Sequence, residues 1–473
     1  MTRLTGRDLP RTPWIPIALA LVALTVAVAL RPLESAAFVL LVAATVVLVL
    51  RFGLRLGLWY ALVGSIPLRQ ALAVDVAGTI TLFYGDVLLY ALAVLVLYER
   101  GLTRILKRSV TFRLGIVVLG LSVIGLYTAT RVMWGAASVY RIVCQLTFFY
   151  LAYQLVRDGR TATRTLAAIV LGLAPAAAYG LYQAFLPVDA QLPKWGNKMI
   201  AYGLGDSPHI RIFSTFNHAL RFSHYLTVGF GLALGLLASR LSRRARTVTT
   251  ATGLLSAVTN LFTYSAAGLV GMFGAGVATA VVFRRRRVVL LAVPVALVVL
   301  FFASPAALVR KFENVVTGDA MTVAARMITY RQAVQVVRDH PFLGVGWGSI
   351  RTALEGRYRV TRAREVAFTA ENYFLQRGLA MGVPGLLLSL AVCVLFFRNV
   401  VRSRARAEAA GWPRAALLIG GTAFYLQAQS FPAAEPASNY LLWILLAVAE
   451  RMSVSKTDAR PALEQPVRGG GQA

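Results

Sequence analysis

The chain has 473 residues, 58% of them hydrophobic and only 14% charged, with a mean hydropathy of +0.67. So small a polar share cannot cover the surface of a water-soluble domain of this length, which excludes a soluble globular enzyme. The formal net charge is +30, from 49 Lys+Arg against 19 Asp+Glu; the cations fall in short clusters between apolar blocks, with no nucleic-acid-binding motif, so no nucleic-acid partner is expected.

The apolar blocks run for about 16–22 residues, the length that crosses a hydrocarbon core as helix. No long period-2 alternation occurs, which argues against an outer-membrane barrel. Reading blocks against breakers predicts an all-α, polytopic transmembrane bundle of about 12–14 spans. Candidates lie near 14–30, 36–50, 56–68, 77–98, 114–128, 138–156, 165–185, 218–238, 248–263, 266–283, 288–304, 372–397, 415–429 and 436–450. The basic segment 1–13 precedes the first span without an obvious small-residue cleavage site, so that span reads as a retained helix. The pair 248–263 and 266–283 is separated only by Ser265 and its neighbours, so besides two spans it reads as one bent helix or a re-entrant pair. Cys144 and Cys393 sit inside apolar blocks and read as buried small residues.

With the N-terminus inside, the inner segments carry 30 of the 49 Lys+Arg, including Arg240, Arg243, Arg244 and Arg246, and the run Arg284–Arg287. That is the positive-inside pattern and places both termini in the cytoplasm. Two outward segments are too long to be turns. One covers about 186–217. The other, 305–371, is a long extracytoplasmic loop domain between a first set of spans (1–304) and a last set (372–450), with a polar tail over 451–473. The long loop carries ten cations, among them Arg326, Arg331, Arg338 and Arg351. The positive-inside rule does not account for them, and a basic surface there suits an anionic ligand at the bilayer face. Within it, 320–338 reads as an amphipathic helix with Val323, Met327, Tyr330, Val334 and Val337 on one face and Asp319 as its cap.

The loop holds Arg326-Met-Ile-Thr-Tyr-Arg-Gln-Ala-Val-Gln-Val-Val-Arg-Asp-His340-Pro-Phe-Leu-Gly-Val-Gly-Trp-Gly348, and it leads into Glu371-Asn372-Tyr-Phe-Leu-Gln-Arg-Gly-Leu-Ala-Met-Gly382-Val-Pro-Gly385. Earlier stands His209-Ile-Arg211-Ile-Phe-Ser-Thr-Phe-Asn-His218. In order and spacing these resemble the O-antigen ligase/polymerase superfamily, whose members include WaaL-type ligases, Wzy-type polymerases and exopolysaccharide polymerases. The family pattern opens a loop helix with an arginine, continues with a Pro and alternating glycines, then has His-Asn, nine residues and Gly-x-x-Gly. The likeness covers roughly 205–395. Glu371 stands where ligases carry histidine, Ser265-Ala266 replaces a frequent Ser-Arg pair, and Ser214 replaces a glycine.

The resemblance implies a GT-C-like membrane glycosyltransferase with no metal or other cofactor. Its donor would be an undecaprenyl-pyrophosphate-linked glycan at the outer leaflet of a bacterial inner membrane, and its acceptor a second glycan or a lipid. Membrane lipids, a chain-length regulator or other polysaccharide-assembly proteins would be its partners. The leaving pyrophosphate calls for arginines, and Arg326, Arg211 and Arg221 are the candidates. The acceptor proton calls for a base, and Glu371 fits. Asn372 and His340 complete the substrate-binding set.

Each has a plainer reading. Arg326 can solvate its helix and Arg211 its loop. Arg221 can snorkel to the interface. Glu371 can cap the helix that follows, and His340 before Pro341 can belong to a turn. Gly344, Gly346 and Gly348 read as a tight turn, and Gly382 and Gly385 as close helix packing. Polymerisation of repeat units is the leading function, transfer of a finished glycan by a ligase the second. A transporter or flippase of a lipid-linked or anionic solute is the non-enzymatic rival, and calls for broken helices and mid-membrane charges.

Overall fold

A computed structural model describes residues 32–68, 73–76, 80–186, 203–204, 207–216, 218–237, 239, 241–283, 321–356, 358, 370–403, 413–429 and 436–454. The expected spans 14–30 and 288–304, the Asp319 cap and most of the C-terminal tail lie outside these residues. The chain divides into two compact units, 1–61 and 62–473. In the first, α1 (Pro32–Phe52) stops at Gly53, whose φ of 80° only glycine adopts freely, and α2 (Leu54–Ser65) begins.

Among its described residues the second unit is helical apart from two short antiparallel ribbons. The first ribbon pairs β1 (Ala73–Val76) with β2 (Ile80–Phe83). The span expected to start at 77 therefore starts instead at α3 (Tyr84–Arg100). Then come α4 (Thr103–Arg108), α5 (Val110–Ile124), α6 (Val132–Leu155) and α7 (Gly159–Ala184). The second ribbon, β3 (Gly203–Leu204) with β4 (Ser207–Ile210), falls in the segment 186–217, the first of the two expected to lie outside. α8 (Ala219–Leu236), α9 (Arg243–Leu261) and α10 (Ala266–Val282) follow. Tyr264, at φ 49°, breaks the chain between α9 and α10, and Ser265 caps α10 by accepting from Gly268 N. The region 248–283 is thus two helices, not one bent one. The remaining elements are α11 (Met321–Asp339), α12 (Ile350–Glu355), α13 (Tyr373–Arg402), α14 (Arg414–Ala428) and α15 (Pro436–Ser453).

Among the described residues α6, α7 and α13 are long and apolar enough to cross a membrane, and α5 and α10 are shorter apolar helices. Their outer faces confirm a lipid-facing protein. Val270, Phe273, Val277 and Val281 line one exposed face of α10, and Val383, Leu387, Leu390 and Val394 one face of α13. Exposed apolar stripes this long are not tolerated in water. Inside, helices meet through small residues: Gly231 on α8 lies against Gly420 on α14, and Gly235 against Ala416. Without a hydrophobic drive between helices in lipid, such close backbone approach is what holds them together.

α13 is not one straight rod. Gly382 has φ 66° and ψ −158°, and the helix reverses there. A Cβ on Gly385 would meet the carbonyl oxygen of Arg377, and one on Gly378 would touch Leu386. Residues eight apart in a straight helix stand about 12 Å apart, so the two arms fold back on each other. The first arm is Tyr373–Met381. The second, Val383–Arg402, is 20 residues, about 30 Å, one bilayer core. α11 runs alongside the first arm in the same direction: Tyr330 reaches Glu371, Val337 meets Gly378, and Pro341 meets Gly382. The face of α11 that packs is Thr329, Ala333 and Val336, whereas Met327 and Val334 are exposed. The expected apolar face is thus out of phase.

Candidate functional site

The base of the α13 hairpin gathers three of the predicted residues, Arg326, Glu371 and Asn372. Asn372 is the N-cap of α13; its side-chain oxygen accepts from Phe374 N at 3.0 Å and Leu375 N at 3.1 Å. Its amide nitrogen reaches the backbone and side-chain oxygens of Gln429, just past α14, at 3.3 and 3.2 Å. The cap is therefore Asn372 and not Glu371. Glu371 precedes it at φ 44°, a left-handed conformation that a non-glycine residue holds only at a cost. That twist turns its carboxylate away from the helix end and onto α11, where Arg326 Nε donates to Glu371 Oε2 at 2.9 Å. The two side chains are 23% and 35% exposed, so the pair is open to a ligand. One turn along, the Tyr330 hydroxyl donates to the Gln429 carbonyl at 2.7 Å and lies 3.4 Å from the Glu371 carbonyl. Burial pushes the Tyr330 phenol up from its ordinary value, against the pull of Arg326, and keeps it a neutral donor.

Arg211 and Arg221 belong to a second group. Arg211 Nε donates to the Thr263 carbonyl at 2.7 Å, in the turn between α9 and α10. The segment after it is pinned: Gln183 Oε1 accepts from Phe213 N and Ser214 N, and the Ser214 hydroxyl donates to the Ala176 carbonyl at 2.5 Å. Ser214 sits at φ 53°, so this serine occupies a conformation that suits glycine. Arg221 lies in the first turn of α8, and the charges of both arginines act on His218, the N-cap of that helix. The two groups share one end of the bundle. Gln427 Nε2 donates to Ser223 Oγ at 3.1 Å, which sets the start of α8 beside the end of α14, where Gln429 holds Asn372.

Residues 251–390 match the family model for O-antigen ligase. They belong to the O-antigen ligase/polymerase superfamily. The match takes in Arg326, His340, Glu371 and Asn372, and leaves Arg211, Arg221 and Gln429 outside it. A search of curated proteins finds no match to the chain. The family is one of membrane enzymes acting on lipid-linked glycans, which fits the lipid-facing helices around this O-antigen ligase domain.

Within that domain, His340 is not part of the ion-pair group. It stands fourteen residues beyond Arg326, about 20 Å along α11. Its backbone N–H donates to Val336, its carbonyl accepts from Gly344 N, and its ring meets Tyr358 edge-on. It is the turn residue of its plainer reading. The glycines after it do more than turn the chain. Val345 N donates to the Leu379 carbonyl and Val383 N to the Pro341 carbonyl, so the loop is wedged against the hairpin tip. At Gly344 (φ 62°) a Cβ would strike the Leu379 carbonyl oxygen; at Gly346 and Gly348 it would strike the Gly125 and Arg131 carbonyls.

Sequence reasoning missed Tyr330 as a site residue, reading it only as part of an apolar face, and missed Gln429 altogether. A polar residue closing the apolar block 415–429 was the available signal for Gln429. Among the described residues no group of His, Cys, Asp and Glu could hold a metal ion.

Proposed function

We propose that the protein is a membrane glycosyltransferase that joins undecaprenyl-pyrophosphate-linked repeat units into O-antigen, capsule or exopolysaccharide at the outer face of the bacterial inner membrane. In this reading both termini are cytoplasmic and 305–371 is extracytoplasmic. The observation that carries it is the half-buried Arg326–Glu371 pair at the base of the α13 hairpin. Glycosyl transfer from a lipid pyrophosphate needs a cation for the leaving group and an acceptor for one proton, and the pair holds both within 2.9 Å. The acceptor hydroxyl oxygen bonds to the anomeric carbon, and the bond from that carbon to the pyrophosphate oxygen breaks. The pyrophosphate departs with the electron pair, towards Arg326 with Arg211 and Arg221 alongside. Glu371 takes the hydroxyl proton.

In the resting site Arg326 and Glu371 neutralise each other. An incoming pyrophosphate competes for the guanidinium and releases the carboxylate, which couples donor binding to the unmasking of the base. Asn372 fixes the direction of Glu371 through its cap. The family description favours a second reading, in which the finished glycan moves to a lipid, protein or wall acceptor. The reversal in α13 is a broken helix of the kind the transporter reading calls for. It lies within the segment matched to O-antigen ligase, and Glu371 and Arg326 stand at its base, so it supports an enzyme.

A deletion strain tests the choice. Single repeat units on the surface identify a polymerase, and long chains held on the lipid carrier identify a ligase. Complementation with Arg326→Ala or Glu371→Ala, made at normal protein level, should leave the deletion phenotype. A normal glycan ladder from either variant overturns the assignment.

A further inference from the structure

One charge in the hairpin has no place in the chemistry above. Arg377 lies one and a half turns into the first arm of α13 and is 3% exposed. Its guanidinium stacks over the Trp347 ring, 5.2 Å from the centroid, and over Tyr373 at 5.6 Å. Among the described residues no carboxylate pairs with it, and its Nε and Nη1 are buried without a hydrogen-bond partner. Arginine cannot discharge this cost by losing its proton. Ring faces attract a cation but accept no in-plane N–H bonds. A buried cation with two idle donors and no carboxylate partner among the described residues is costly, and a ligand that supplies an anion relieves that cost.

The surroundings are built to hold the guanidinium still. Trp347 is fixed by its indole N–H, which donates to Ser122 Oγ at 3.1 Å, and Ser122 in turn donates to the Val118 carbonyl. The loop that carries Trp347 is wedged against the hairpin tip through Val345 and Leu379. Trp347 is itself only half-buried, so one side of the stack lies near the surface.

We propose that Arg377 is a second anion-binding residue, which receives an oxyanion of the substrate through Nε and Nη1, deeper in the hairpin than the Arg326–Glu371 pair. The oxyanion is either a phosphate oxygen of the lipid carrier or the carboxylate of an acidic sugar. This rests on the glycosyltransferase reading for the identity of the substrate, but not for the binding itself.

The test is thermal unfolding of the full-length protein in detergent, with inorganic pyrophosphate or with glucuronate, for wild type, Arg377→Met, Arg377→Lys and Arg326→Ala. A ligand that binds only the folded protein raises its midpoint. At least one anion should raise the wild-type midpoint. Arg377→Met should raise the anion's dissociation constant ten-fold or more, and Arg326→Ala should leave a shift that still depends on Arg377. A response to pyrophosphate alone identifies the carrier phosphate, and a response to glucuronate identifies an acidic sugar. Without ligand, Arg377→Met should unfold no earlier than wild type, because it removes a buried charge that has no carboxylate partner among the described residues. If Arg377→Met is not produced, Arg377→Lys decides: it loses the planar fork, and the shift should shrink. The proposal is overturned if neither anion moves the wild-type midpoint, or if the shift survives Arg377 substitution. It is also overturned if Arg377→Met lowers the ligand-free midpoint and leaves the anion shift intact, which marks a packing role. Loss of glycan in Arg326→Ala with an intact Arg377-dependent shift separates this site from the proposed reaction centre.

Discussion

Arg326 Nε and Glu371 Oε2 meet at 2.9 Å across 45 residues of chain, and the left-handed backbone at Glu371 is what points the carboxylate there. In the proposed reaction the cation for the leaving group and the base for the acceptor therefore act as one unit. Each single alanine substitution should lower transfer by about 100-fold or more, in the range for a lost acid–base group or charge stabiliser. The double variant should be little worse than the poorer single one, because partners in one unit are not additive. Rates on a lipid-linked donor in detergent, measured for all four proteins, check this. Additive losses would show two independent groups.

The strain at Glu371 gives a separate handle. A non-glycine residue at φ 44° costs on the order of 1 kcal/mol, which glycine escapes. Both Glu371→Gly and Glu371→Ala remove the carboxylate, so both should be inactive. Glu371→Gly should nevertheless be more stable than Glu371→Ala by about 1 kcal/mol, less the extra chain entropy glycine loses on folding. Midpoints in one detergent measure the difference. A Glu371→Gly variant less stable than Glu371→Ala by the full chain-entropy difference would mean that the backbone twist carries no cost, and active Glu371→Gly would mean that the carboxylate is not the base.

The motif residues were legible because their chemistry is written locally: an arginine in a loop helix, and Glu371-Asn372 ahead of an apolar run. Their partners were not. Gln429 is 57 residues from Asn372 and closes a block that reads only as a span. The run 372–397 reads as one crossing because hydropathy is blind to direction, and the reversal is marked by Gly382-Val-Pro-Gly385 alone. The α11 face was misphased for a related reason. Met327 and Val334 are apolar but exposed, whereas Thr329 and Ala333 make the packed face. Apolar residues are common on folded surfaces, so apolar alone does not mean inward. The α9–α10 boundary was ambiguous because it rests on one left-handed residue, Tyr264.

Gly382 should be the least replaceable glycine of the hairpin. A Cβ there would strike the Pro341 carbonyl, in a backbone conformation closed to most side chains. Gly382→Ala should cost about 2 kcal/mol or more and lower the amount of folded protein. Gly120 on α5 is the control: nothing lies within 4 Å of its would-be Cβ, and alanine there should be neutral or stabilising by up to about 1 kcal/mol. Detergent-stable yield of the two variants, measured by size-exclusion chromatography, makes the comparison. Equal yields would mean that the tip tolerates a straight helix.

Glu450 offers a test of the bundle away from the site. It is 6% exposed near the end of α15, and its carboxylate accepts from Val110 N at 2.9 Å and from Ser109 Oγ at 3.0 Å. Ser109 also caps α5, accepting from Phe112 N at 3.0 Å. Two donors at the start of α5 are thus satisfied by a residue more than 300 positions later. Glu450→Ala leaves the buried Ser109 hydroxyl and the Val110 N–H without this acceptor and should cost about 1–3 kcal/mol. Glu450→Gln should cost less than half of that: its carbonyl oxygen still accepts from Val110, and the Ser109 hydroxyl can turn to accept from the amide. Thermal midpoints in detergent should fall in the order wild type, glutamine, alanine. Glycan made per folded molecule should be the same in all three, because the contact ties α15 to α5 and touches no residue of the hairpin base.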